Sequence, residues 1–150
     1  MDKDYAIHAV STKMRLIRHE KGYTQEKMAE VLGISKKTLV QIEKERTLAS
    51  WTCIIAVCAV FRDSVILRAT LGEDPLEVIE TLAHERMNTP KEKTLGGKVW
   101  WKQIEEKNTF ILQQNVISKH YRIIDSEHYR WFSSFDEGET REMFETLAGK

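Results

Sequence analysis

The segment Thr24–Glu43, TQEKMAEVLGISKKTLVQIE, constrains this chain more than any other part of it. Apolar residues recur there at helical spacing on both sides of Gly33, and glycine accepts a left-handed turn cheaply. Thr24 is placed to cap a helix over residues 25–32, and Ser35 to cap another running to about Lys44. Met28, Leu32, Ile34, Leu39 and Ile42 fall on the inner faces, and Ala29 is small where the two helices would cross. That leaves Lys36, Lys37, Val40 and Gln41 facing outward. An exposed helix with ammonium and amide side chains suits the major groove, where lysine donates to guanine and glutamine pairs with adenine.

The flanking sequence continues in helical period. Met14, Ile17 and Arg18 share one side of a first helix that ends near Lys21-Gly22. Ser50 caps a helix over 51–61. Asp74-Pro75 starts another reaching about Met87, with proline at its preferred first position. Residues 63–71 are expected to be helical without clear boundaries. Residues 88–97, with Pro90, Lys91-Glu92-Lys93 and Gly96-Gly97, read as a linker. After it the pattern changes. Residues 98–107 read as a short helix carrying Val99, Trp100, Trp101 and Ile104. Residues 109–117, 120–125 and 128–135 read as three strands, with a turn at Asp125-Ser126-Glu127, and 140–147 as a closing helix. The expected fold class is α+β. Five N-terminal helices over 1–87 precede the linker at 88–97 and an α-β-β-β-α module over 98–150.

The N-terminal segment resembles the helix-turn-helix of phage Cro and repressor proteins, the xenobiotic-response-element type with a lambda-repressor-like fold. The resemblance covers residues 11–61. Arg18, Thr24-Gln25, Ala29, Leu32-Gly33, Ser35, Leu39 and Ile42-Glu43 all stand at the family's spacing. It implies that Gln25 grips a phosphate, that Ser35, Lys36, Lys37 and Gln41 face bases or backbone, and that Arg18 and Glu43 form a partly buried ion pair. Thr38, Val40, Lys44 and Arg46 complete the expected DNA-binding set. One position departs from the pattern: the family's usual glycine two residues after Glu43 is here Glu45. A left-handed residue other than glycine costs on the order of 1 kcal/mol.

Charge fits this expectation once its distribution is considered. The chain has no net charge, with 23 basic and 23 acidic residues. Between Ser11 and Arg46, however, nine Lys/Arg face five Asp/Glu. A cationic region on a neutral chain is compatible with DNA binding. The function expected is sequence-specific transcriptional regulation, with a homodimer repressing from a palindromic operator on double-stranded DNA. Its two recognition helices would sit about 34 Å apart. The alternative is a protein-interaction adaptor that keeps the fold without reading DNA.

Other chemistries find little support. The longest apolar run, Cys53 to Phe61, is far short of the roughly 20 residues a membrane span requires, and the acidic start does not resemble a signal peptide. The expected location is the cytoplasm. Cys53 and Cys58 read as buried small side chains. His8, His19, His84, His120 and His128 are scattered, so no metal, cofactor or catalytic residue is expected. Trp100, Trp101, Tyr121, Tyr129, Trp131, Phe132 and Phe135 enrich the last third in aromatics. A ligand pocket or a dimer surface would use them, and filling a small core accounts for most. Lys119, Arg122 and Arg130 could line a second DNA face on the sheet. Asp136, Glu137, Glu139, Glu142 and Glu145 make the closing helix acidic, which argues against a DNA face on the helix side and only weakly on the sheet side.

Overall fold

The computed structural model describes residues 1–84 and 99–149. Two compact units divide the chain, Met1–Asn88 and Thr89–Lys150. The linker expected at 88–97 and the end of the helix expected to reach Met87 lie outside the described residues.

Six helices form the described part of the first unit, where five were expected: α1 (Lys3–Lys21), α2 (Gln25–Leu32), α3 (Lys36–Glu43), α4 (Trp51–Val60), α5 (Val65–Leu71) and α6 (Pro75–His84). The sixth is α5, in the stretch whose boundaries the sequence left open. Its start is set by Ser64, whose hydroxyl accepts from Leu67 N, and by Glu20 at the end of α1. Glu20 accepts from Ser64 Oγ, Val65 N and Ile66 N, at 3.0, 3.1 and 3.2 Å. These donors would otherwise be orphaned at a helix start, and a carboxylate is favoured at that positive end. No local signal in 63–71 marks the start, because half of the cap comes from another helix.

Thr24, Ser35 and Ser50 cap their helices in the same way as Ser64, each accepting from the backbone N–H three residues on. The closures are equally regular. Tyr23 N donates to Arg18 O and Ile34 N to Ala29 O, with Gly22 and Gly33 left-handed at φ 69 and 72°. Met14, Ile17, Met28, Leu39, Ile42, Ile54, Phe61 and Leu67 are fully buried in one core. Through it α1 packs against α3, α4 and α5.

The second unit corrects the expected α-β-β-β-α order. Its first described element is a strand, β1 (Trp101–Lys107), followed by β2 (Phe110–Asn115), β3 (Tyr121–Asp125), β4 (Arg130–Ser134) and α7 (Glu137–Ala148). The strands form an antiparallel meander in the order β1-β2-β3-β4. The helical reading of 98–107 failed because of a bulge. Gln103 pairs with Gln113 and Glu105 with Leu112, so Ile104 is an extra residue. Such an insertion turns two neighbouring side chains to the same side. Trp101, Ile104 and Glu105 are therefore the half-buried positions of β1, and that spacing imitates one face of a helix. Pairing with β2 overrides the helix preference of Glu105-Glu106-Lys107. Leu112, Ile123, Phe144 and Ala148 form the buried centre between sheet and α7, flanked by Ile104, Phe110 and Phe132.

Candidate nucleic-acid interface

The geometry of the α2–α3 pair follows from its sequence. Ala29, 3% exposed, lets the two helices approach, and Gly33 turns the chain between them. α3 then buries Leu39, Ile42 and Glu43. Lys36, Lys37 and Thr38 are exposed on its opposite side, with Val40 and Gln41 half-buried at the margins. Gln25 is half-buried at the first position of α2, the end of a helix at which anions are favoured. Lys44 and Arg46, beyond the end of α3, are exposed. Lys37, Lys44 and Arg46 make no ion pair among the described residues.

Arg18 and Glu43 tie α1 to α3. Arg18 Nε donates to Glu43 Oε2 at 2.9 Å and Nη2 to Oε1 at 2.8 Å, a two-pronged contact, while Nη1 donates to Tyr23 O at 3.1 Å. The Glu43 side chain is 1% exposed and that of Arg18 13%. The hydrogen bond to Glu43 raises the Arg18 pKa above its ordinary value against the opposing effect of burial. Arg15 adds a looser contact, 3.7 Å to the same carboxylate. The pair is buried where α1 meets α3 and joins the two helices at the last turn of α3.

Two features of the site were not legible from spacing. First, Lys36 Nζ is 2.6 Å from Glu26 Oε1. The hydrogen bond from Lys36 holds the Glu26 carboxyl below its ordinary pKa. Of the two lysines at the start of α3, one is thus engaged by an acid of α2. No periodic signal pairs these positions, because the contact crosses the turn. Second, Glu45 occupies the left-handed position after α3 at φ 59°. Arg46 N donates to Gln41 O and Glu45 N to Ile42 O, each at 3.0 Å. This is the same pair of bonds that closes α1 and α2 with glycine. The departure from glycine therefore leaves the closure intact and places a carboxylate in the loop beside Arg46. Thr38 is also committed locally, since its hydroxyl accepts from Ser35 Oγ at 2.8 Å.

Residues 14–52 match a family model described as helix-turn-helix. The N-terminal unit carries a helix-turn-helix of the Cro/phage-repressor type. Neither a curated protein nor a solved structure matches the chain. DNA binding and transcription regulation are the general function this helix-turn-helix represents. The match ends at Thr52, so it spans α2, α3 and the loop after them but not the sheet.

Of the three cations read as a second DNA face on the sheet, Lys119 and Arg130 are exposed and Arg122 is not. Arg122 is 6% exposed, and its guanidinium lies over the Trp101 ring, 3.7 Å from the ring centre. Its Nε donates to Gln113 Oε1 at 2.8 Å, and burial, with Arg130 nearby, lowers its pKa. A side chain so placed does not reach a phosphate. Trp101 thus packs on its own sheet while its neighbour Trp100 is 57% exposed. His120 stands between the rings of Trp101 and Phe135, at 4.9 and 5.5 Å, and His128 occupies the β3–β4 turn. Among the described residues no three His, Cys, Asp or Glu side chains converge on a point that could hold a metal. No described helix is long and apolar enough to cross a membrane. Cys53 and Cys58 are buried free thiols, and burial pushes the Cys58 pKa up to about 12.

Proposed function

We propose that this protein is a sequence-specific transcriptional regulator that represses by occupying a palindromic operator as a homodimer. Helix α3 enters the major groove. Lys36, Lys37, Gln41 and Val40 meet base edges, while Gln25, Ser35, Thr38, Lys44 and Arg46 contact or position the phosphates. In this reading residues 1–87 bind DNA, 88–97 connect, and 98–150 assemble the dimer. A dimer is needed because one such module buries little DNA surface, and affinity grows when two bind one duplex together. The observation that carries the reading is the outward face of α3, where Lys36, Lys37 and Thr38 are exposed beside the start of α2.

A gel-shift comparison of selected operator and random duplex tests it. Lys36→Ala with Lys37→Ala should weaken operator binding by about 10- to 100-fold, since each good base contact is worth roughly 1–3 kcal/mol. Non-specific binding should fall less. Unchanged binding to both duplexes sinks the assignment of α3. Glu26→Gln should act in the opposite direction, strengthening binding several-fold by releasing Lys36 and removing a negative charge from the face.

The Glu26–Lys36 contact also favours a second reading, a protein-interaction adaptor that does not read DNA, because it neutralises one cation of the recognition face. Salt separates the two. A DNA reader loses affinity steeply with rising salt as counterions are released. An adaptor has no DNA affinity to lose.

A further inference from the structure

Among the described residues the sheet of the second unit has two edge strands, and they are protected to different degrees. β1 carries Lys102, Glu105, Glu106 and Lys107, and it is bulged at Ile104. Lys107 and Glu105 are held towards α7, 3.1 Å from Glu145 and 3.7 Å from Arg141. Charges and bulges are what keep an edge from accepting another strand. β4, Arg-Trp-Phe-Ser-Ser, has a single charge. Its bulge at Trp131 leaves residues 132–134 in regular pairing with β3. Arg130, Trp131 and Ser133 are exposed along it. An aromatic ring flanks it on each face of the sheet. Trp131, 56% exposed, stands beside Phe110 at 5.6 Å, and Phe135, 76% exposed, stands beside His120.

We propose that β4 is the dimerisation edge: two copies of the chain pair β4 with β4, antiparallel about a twofold axis, joining their sheets into one of eight strands. The inference rests on the homodimer reading above and names its surface. Three properties of the strand point to a second copy rather than another partner. An antiparallel strand pairs with itself about a twofold axis without any further matching, and one open edge per chain closes the assembly as a dimer instead of a fibre. The charges are self-complementary. Arg130, which makes no ion pair among the described residues, stands at the start of β4, and Asp136, Glu137 and Glu139 follow its end. Antiparallel pairing brings each Arg130 to that acidic run of the other copy. The two exposed rings beside the strand are covered in the same step, so backbone pairing and apolar burial act together.

Sedimentation equilibrium on the full chain tests this. The wild type should dimerise. Ser133→Lys, which sets two ammonium groups against each other near the axis, should raise the dimer Kd at least about tenfold, or 1.4 kcal/mol, with an unchanged far-ultraviolet dichroism spectrum. A second variant guards against misfolding. Ser133→Cys should give a disulfide-linked dimer on oxidation, whereas Lys102→Cys on the β1 edge should not. If the dimer survives Ser133→Lys and cross-links through Lys102→Cys instead, the β4 assignment is wrong and the homodimer stands. A wild-type chain that remains monomeric at every concentration overturns both the edge and the homodimer.

Discussion

The two units of this chain reach order by different routes. In the helical unit, the ends of α2 and α3 are written within a few residues: a hydroxyl caps the N–H three positions on, and a left-handed residue lets two N–H groups turn back onto the helix. The sheet unit uses local signals only for its turns and the start of α7, where Asn115, Asp125 and Asp136 accept from nearby backbone N–H groups. Its strands are placed by partners on other strands, and two of its three pairings are shifted by a bulge. Its buried centre is also far smaller, reduced to Leu112, Ile123, Phe144 and Ala148. A unit built on local signals distributes its stability over many short-range bonds. A unit built on pairing concentrates it in the few side chains that hold sheet and helix together.

That contrast can be broken by experiment. Phe144→Ala empties the middle of the sheet unit, and a buried phenylalanine cut to alanine costs about 4 kcal/mol. The near-ultraviolet signal of Trp100, Trp101 and Trp131 should then melt first, while the helical far-ultraviolet signal persists. If both signals collapse together, the two units form one cooperative body and the contrast fails. The helical unit has its own concentrated point in Glu43, the buried carboxylate under α3. Glu43→Ala strands the guanidinium of Arg18 and should cost about 3 kcal/mol, read as a lowered chemical-denaturation midpoint. The same variant should weaken DNA binding without any contact to DNA, because the angle of α3 relaxes. A smaller, opposite effect is expected at Glu45. Glu45→Gly removes the strain of a left-handed glutamate, offset partly by the greater freedom of glycine in the unfolded chain, for a net gain of about 0.5–1 kcal/mol in thermal unfolding. A loss instead of a gain would mean that the carboxylate of Glu45 contributes to the loop.

The helices of the first unit were readable because their signals are short-range. Thr24, Gly33, Ser35 and Ser50 specify ends that need no knowledge of the rest of the chain. α5 was the exception, since Glu20 supplies half of its cap from a distant position. β1 shows the reverse failure. Trp101, Ile104 and Glu105 share the spacing of a helix face, and only the pairing with β2 reveals the inserted residue. At the candidate site, the outward residues of α3 followed from periodicity. The engagement of Lys36 by Glu26 did not, because ion pairs across a turn leave no period behind.

The α2–α3 pair, its caps and turn, and the outward side chains of α3 follow from the order of residues alone. These depend on hydrogen bonds that span five residues at most and on a repeat of 3.6. Long-range packing is what makes residues 101–107 a strand, buries Arg122 against Trp101, sets Glu26 on Lys36 and leaves β4 the less protected edge of its sheet. Each of those joins residues far apart in the chain, where the outcome depends on which partners arrive together.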